Sequence, residues 1–305
     1  MAGIYIHVPF CQSRCAYCDF YSTTLLAHRE AYVDTVCREL RLRLHELQGE
    51  PIKTIYFGGG TPSTLTIEEL RVILETLENL EVLGNPNNLE LTLEANPDDL
   101  TEEYLSQLRS LPVNRLSIGV QSFCDDELQW LNRRHTSQEA FDVVLRAQKA
   151  GFENITIDLM FALPVQTLES LNYSISKALQ LDVQHISAYS LMFEPDSKIT
   201  KLMELNRLQP LDEDVAADMF ELLSTPLISA GYEQYEISNY AKPSFYSRHN
   251  SGYWHGMRYL GLGPSAHSFD GEKRWSNIAH TIKYNAQFQS RDTACRVLTS
   301  VSSFV

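Results

Sequence analysis

The chain has 305 residues, 44% apolar and 21% charged, enough for a large core and unlike a disordered, collagen-like or low-complexity protein. Lys and Arg number 25 against 39 Asp and Glu, a net charge of -14 that repels phosphate backbones and argues against nucleic-acid partners. No apolar run reaches the ~18 residues of a membrane helix, the first residues show no signal-peptide pattern, and six cysteines are too few for a disulfide scaffold, so a cytoplasmic location is expected.

Apolar strand-like runs alternate with segments of helical period. Ile4–Val8 is the first predicted strand, followed by a helix over Arg29–Gln48 with Val33, Val36, Leu40, Leu44 and Leu47 on one face. Thr54–Phe57 is the second strand. Its helix opens at Thr66, with Glu69 three residues on completing a capping box. Leu89–Glu94 precedes a helix near Thr101–Leu111. Arg115–Gly119 precedes Ser137–Ala150, stopped by Gly151. Ile155–Met160 precedes Leu168–Leu181, and His185–Leu191 precedes a helix near Asp212–Ala230, stopped by Gly231. Six βα units in series predict an α/β fold with a parallel sheet, a partial (β/α)6 barrel, with a doubly wound sheet as the competitor. The predicted division is a barrel over residues 1–231 and an appended aromatic- and glycine-rich segment over 232–305. Eight aromatics fall between Tyr232 and Tyr259, and five glycines between Gly252 and Gly271. Asn285–Val305 is polar and reads as no closed domain.

Chemistry-bearing residues collect at predicted C-terminal strand ends. Cys11, Cys15 and Cys18 follow the first strand in one loop. Three thiolates at this spacing can hold three corners of an iron–sulfur cubane and leave one iron open, whereas an electron-transfer cluster takes four. Zinc is the alternative and would need a fourth ligand, for which His7 is the nearest candidate. Gly58-Gly59-Gly60-Thr61-Pro62-Ser63 follows the second strand and lets a ligand approach the backbone. No Lys follows it, so it is no Walker loop; a tight turn is its plain reading. Glu94, Gln121 and Asp158 stand at or near the ends of strands three, four and five. In parallel barrels such ends converge on one face, so these residues are expected to form one site.

These motifs, with Ile4-Tyr5-Ile6-His7-Val8-Pro9-Phe10 before the first cysteine, Arg115-Leu116-Ser117-Ile118-Gly119-Val120-Gln121-Ser122-Phe123, and Ile157-Asp158-Leu159-Met160, resemble the HemN/HemW group of the radical S-adenosylmethionine (SAM) superfamily, over Ile4 to about Ala279. Within that group the chain is most similar to the haem chaperones. The resemblance implies that Cys11, Cys15 and Cys18 ligate a 4Fe-4S cluster whose open iron takes the amino and carboxylate groups of SAM. It places Tyr5 and Tyr17 beside the cofactor, Gly59, Gly60 and Thr61 around its methionine part, and Glu94, Gln121, Arg133 and Asp158 among its remaining contacts. Met192 aligns with a further contact in the oxidase. His249, Asn250, Tyr253 and Trp254 match a His-Asn-x-x-Tyr-Trp motif linked with haem. An imidazole among aromatics is a plausible iron ligand, although a loop histidine beside core aromatics is the plain reading. Between Lys242 and Arg274 five Lys and Arg face two Asp and Glu, a charge that suits haem propionates.

The implied function is haem binding and delivery to an acceptor protein, respiratory or membrane-associated, with a homodimer left open. The alternative is an oxygen-independent coproporphyrinogen III oxidase. Against it, Cys18 is followed by Asp19-Phe20, where the oxidase has another cysteine, and only three residues precede the first strand. SAM machinery is thus expected without that decarboxylation. Two departures from the group stand out: Ala162 replaces a usual Gly, and the chain stops at Val305, about where a small C-terminal domain is expected to begin. Cys37, Cys124 and Cys295 are expected to be dispensable for the cluster.

Overall fold

A computed structural model describes residues 1–80, 88–195 and 197–289. Every predicted βα unit forms. The strands are β1 (Ala2–Val8), β2 (Ile52–Gly59), β3 (Glu90–Ala95), β4 (Arg115–Gln121), β5 (Ile155–Phe161) and β6 (His185–Ser190). The helices between and after them are α1 (Arg29–Arg43), α2 (Ile67–Asn79), α3 (Glu102–Leu108), α4 (Asp125–Trp130), α5 (Ser137–Lys149), α6 (Leu168–Gln180), α7 (Lys198–Glu204) and α8 (Glu213–Ser229). Thr66 and Glu69 close a capping box at α2, as predicted, and Thr136 with Glu139 closes another at α5. Gly151 and Gly231 adopt the left-handed conformation just beyond α5 and α8. The first predicted helix ends earlier, at Arg43, and tightens into a 3-10 turn over Leu44–Leu47. Helices α4 and α7 were not predicted; six and seven residues are too short to show a period.

Strands β1 to β6 lie side by side in chain order, all parallel. A doubly wound sheet would reverse order at a switch point, and none occurs among these six. The strands alternate strictly. On β2 to β6, Ile55, Phe57, Leu91, Leu93, Leu116, Ile118, Ile157, Leu159 and Ile186 are buried in the apolar core. Tyr56, Glu94, Arg115, Ser117, Gln121, Thr156, Asp158, His185, Ser187 and Tyr189 line a central cavity instead. A TIM barrel fills its interior with branched apolar residues. This lumen is polar and holds a cavity of about 470 Å³.

Residues 232–289 continue the sheet at both edges. β7 (Glu233–Gln234) and β8 (Asn239–Ala241) form an antiparallel pair beside β6. β9 (Arg258–Leu262) runs parallel to β1, followed by β10 (His267–Phe269) and β11 (Arg274–Ser276). Gly261 is obligatory there, since a Cβ would stand 1.9 Å from the His267 carbonyl oxygen. α10 (Thr281–Gln289) includes part of the stretch that read as no domain; residues 290–305, Cys295 among them, lie outside the described residues. One buried carboxylate ties this segment to α1. Glu39 pairs with Arg43 at 2.5 Å and accepts from Gly263 N–H (2.9 Å), Asn277 Nδ2 (2.7 Å) and the Tyr284 hydroxyl (2.6 Å).

α9 (Arg248–Trp254) crosses the lower end of the lumen. Glu90, first residue of β3, accepts the Arg248 and His249 N–H groups at 2.9 Å each, neutralising the helix start.

Candidate functional site

The cysteine loop is held shut at its base. Phe10 bridges Thr23, Cys11 N–H donates to the Thr23 carbonyl at 3.0 Å, and Thr23 N–H donates to that of Pro9 at 2.7 Å. Further along, Asn132 Nδ2 donates to the Arg14 carbonyl at 3.0 Å and ties the loop to the turn after α4. Cys11, Cys15 and Cys18 are all unpaired and all line the lumen cavity. Burial pushes the Cys11 thiol up and the Cys18 thiol up to about 11. Such thiols stay protonated until a metal displaces the proton. Thr61 Oγ1 donates to Cys11 Sγ at 3.3 Å, and Arg133 Nη1 donates to Cys15 Sγ at 3.5 Å. Donors aimed at sulfur suit a thiolate-bound cluster. Among the described residues no group of three His, Cys, Asp or Glu closes on a point where a single ion would sit. His7, the candidate fourth zinc ligand, is spent: Nδ1 lies 3.2 Å from the Tyr5 hydroxyl and Nε2 2.8 Å from the Tyr21 carbonyl, and burial lowers its pKa to about 4. The donor set therefore fits a three-thiolate cluster and not a closed four-ligand zinc site.

The glycine loop packs directly on this one. Gly60 N–H donates to the Val8 carbonyl at 2.8 Å, and a Cβ on Gly60 would stand 2.7 Å from that oxygen. Gly59 is left-handed at φ +105°. Its N–H reaches Glu94 Oε2 at 3.2 Å, while Tyr56 donates to Glu94 Oε1 at 2.7 Å. Burial raises the Glu94 pKa. Gln121 ends β4 at φ +70°, with Oε1 accepting from the Tyr189 hydroxyl at 2.7 Å. Asp158 is raised to about 7 by burial first and by Glu94 second, with one weak bond from Ser117 at 3.4 Å. Arg133 Nη2 donates to the Gly119 carbonyl (2.6 Å) and to Asn96 Oδ1 (2.8 Å), leaving Nε unpartnered.

One cavity collects Cys11, Cys15, Cys18, Tyr17, Gly59, Gly60, Thr61, Glu94, Gln121, Arg133 and Asp158, and also Met192. Tyr5 is not among its lining; its ring stacks beside Tyr56 with centroids 6.2 Å apart. The four haem-motif residues do not share a face. His249 is 1% exposed, stacks on Tyr56 at 5.1 Å, and spends both nitrogens, Nδ1 on Thr54 Oγ1 and Nε2 on the Tyr253 hydroxyl, each at 2.8 Å. Desolvation lowers its pKa to about 3, so it is neutral. Asn250 lines the lumen from below, whereas Trp254 is 67% exposed on the outside. As folded, His249 has no nitrogen left for iron. The ring lies on α9 rather than in a loop and fills a slot beside Gly3, with Cε1 3.3 Å from the position of a Gly3 Cβ.

Three residues at the site were not singled out from sequence: Arg115, His185 and Asn239. Each lines the cavity with an unpartnered polar atom. The period-2 polar alternation in Arg115-Leu116-Ser117 and His185-Ile186-Ser187 was the available signal.

The profile of the Radical SAM superfamily matches residues 5–178. The chain is 40% identical to the heme chaperone HemW of Bacillus subtilis, covering 96% of this chain and 79% of that protein. It is 37% identical to the heme chaperone HemW of Escherichia coli, covering 87% and 69%. Among solved structures, the coproporphyrinogen III oxidase HemN of Escherichia coli superposes with TM-score 0.78 at 23% identity, over 94% of this chain and 68% of that one, a likeness of fold. With its three-cysteine loop, glycine loop and polar lumen, the chain belongs to the radical SAM superfamily and, within it, to the HemW family.

Proposed function

We propose that this chain is a haem carrier built on a radical SAM barrel. Cys11, Cys15 and Cys18 hold a 4Fe-4S cluster. Gly59, Gly60, Thr61, Glu94, Gln121, Arg133 and Asp158 hold SAM. Haem binds elsewhere on the chain and passes to an acceptor protein. When bound, the cluster and SAM together supply one-electron chemistry; the protein's own part is to position them. Arg133 is a fixed cation for a carboxylate, and Glu94 and Asp158 offer acceptors to an ammonium or a ribose diol. The two acids are raised by burial, so a cationic ligand favours their ionised forms.

The observation that carries the haem reading is the outer face of α9. Trp254 (67% exposed) and Ile237 (72% exposed) stand with Tyr235, Tyr246 and His255 around a groove of about 490 Å³ outside the barrel. Large apolar side chains this exposed mark a binding surface, and a flat apolar disc suits them. His255 adds a ligand: its Nδ1 lies 2.7 Å from the Ser251 carbonyl, which fixes the proton on Nδ1 and leaves the Nε2 lone pair free. Haem titration of the anaerobically reconstituted chain tests this. Trp254→Ala and His255→Ala should weaken binding, His255→Ala with a changed spectrum. Undiminished binding in both variants would move haem off this face. Turnover of coproporphyrinogen III in the same preparation would instead make the chain an oxidase.

A further inference from the structure

We infer that the floor of the barrel lumen is an anion site, with Arg115 as receptor for the carboxylate of a slim ligand or ligand arm. This goes beyond the haem reading and does not depend on it. Arg115 opens β4 and is 1% exposed. Its one hydrogen bond runs from Nη2 to Thr156 Oγ1 at 2.5 Å, and Nε and Nη1 have no partner among the described residues. A guanidinium cannot shed its charge, and Glu94 and Asp158 act on it only from a distance, so the group is set for a closer anion. No carboxylate among the described residues forms an ion pair with it. Glu94 and Asp158 stand two residues further along the neighbouring strands, each above the layer of Thr92 and Thr156.

His185 supplies a second donor. It opens β6, with its Cα opposite Thr156, and is fully buried. Its Nε2 lies 2.8 Å from the Tyr235 hydroxyl, and the Tyr235 oxygen also accepts the Ser247 N–H at 3.2 Å. In the tautomer in which the hydroxyl donates to Nε2, the imidazole proton sits on Nδ1. That Nδ1–H is unpartnered and His185 lines the cavity. Burial and the adjacent Arg115 keep the ring neutral. Asn239 Oδ1, an acceptor on β8 opposite Ser187, is the fourth unpartnered atom. Two strand-opening residues that line one cavity thus keep unused nitrogen atoms buried beside it, the donors an anion pocket needs.

Access defines the ligand. α9 closes the floor through Glu90, Thr54 and His249, so a ligand arrives from the cysteine end. A cavity of about 470 Å³, shared with whatever sits beside the cysteines, admits a short chain and not a macrocycle. The class is a short aliphatic carboxylate, free or as a side arm of a larger molecule.

The test uses the full chain with its cluster reconstituted. Sodium propionate should raise the melting temperature where sodium chloride at equal ionic strength does not. Asn239→Asp brings a carboxylate to the floor and should abolish the propionate response while cluster iron stays at the wild-type level. Arg115→Gln should weaken propionate binding by about tenfold or more; if that variant fails to fold, Asn239→Asp and His185→Asn carry the test. Coproporphyrin III against its tetramethyl ester separates the sources. Preference for the free acid that is lost in Asn239→Asp assigns the site to a side arm, and propionate binding without that preference assigns it to a free carboxylate. No response to propionate in the wild type, or an equal response in Asn239→Asp, overturns the proposal and leaves the floor to water.

Discussion

The two ends of the lumen are made by the same six strands and behave oppositely. At the cysteine end unpaired thiols and the Gly60-Thr61 turn sit on loops beyond β1 and β2, a left-handed Gly59 opens the backbone, and Glu94, Gln121 and Asp158 reach in from β3, β4 and β5. At the α9 end nearly every polar group of the plug is spent on another: His249 on Thr54 and Tyr253, Glu90 on two helix N–H groups. Loops free the backbone and side chains for a ligand; a plug must satisfy itself, because it is buried. Motif histidines are pins at both ends, His7 on Tyr5 and Tyr21 and His249 on Thr54 and Tyr253, and the free ligands of the cysteine end are its thiols.

The largest expected effect breaks the cysteine end alone. Cys11→Ala, Cys15→Ala and Cys18→Ala should each abolish the cluster, since the loop has no spare thiol, while Cys37→Ala and Cys124→Ala retain it. Cys37, on α1, donates to the Val72 carbonyl of α2, and Cys124 lies near Ser170 and Ser174, both away from the lumen. Iron and sulfide counts check this; full iron in any of the first three would refute the assignment.

The second effect breaks the plug. His249→Ala leaves Thr54 Oγ1 and the Tyr253 hydroxyl without a partner and opens a cavity, at a cost of about 2–4 kcal/mol. Haem affinity per folded molecule should be unchanged. The sign with pH follows from a folded pKa near 3 against about 6.5 unfolded. Neutral His249 stabilises the fold fully above pH ~6.5, and this is lost as pH falls toward 3. Urea midpoints of wild type and variant should therefore converge on acidification; a constant gap would mean that the ring titrates normally.

The same contrast explains what could be read in the chain beforehand. The cysteine end is written in contiguous runs, Cys11 to Cys18 and Gly58 to Ser63, because a loop places neighbours in sequence around one ligand. The order of the six parallel strands was legible as well, since alternation of strand and helix dictates it. The lumen floor was not: Thr54, Glu90, Arg115, Thr156 and His185 come one per strand, separated by whole helices, and only the register joins them. The apolar half of each strand drew attention and concealed the polar alternate. The burial of His249 was not legible for a related reason, because its partners lie 195 residues upstream and four residues downstream, and no local spacing marks a pin.

A third prediction sharpens the cysteine end. Asp158, raised to about 7, contributes stability that is present at acid pH and lost as pH rises through 7. A cationic ligand that prefers the carboxylate reverses this, so SAM affinity should strengthen with pH up to 7 and level off above it. Between pH 6 and 8 the change should be about tenfold, and Asp158→Asn should flatten it. Isothermal titration at three pH values decides the matter; equal slopes in both proteins would place the titrating group elsewhere.

The smallest effect concerns the turn that follows β5. Ala162 sits at φ +59°, a left-handed backbone that L residues other than Asn and Asp seldom adopt. The strain resides in the backbone, not in crowding by the methyl. A left-handed Ala costs about 1–2 kcal/mol relative to Gly, and Gly returns about 0.4–1 kcal/mol of that through its more flexible unfolded chain. Ala162→Gly should therefore stabilise the protein by about 0.5–1 kcal/mol, read as a higher urea midpoint at unchanged slope. The lumen should not notice: Phe161 and Leu163 remain buried on either side, and the Leu191 N–H still donates to the Phe161 carbonyl at 2.9 Å. A destabilised variant would show that the turn needs the methyl for packing against its buried neighbours more than it resents the left-handed backbone.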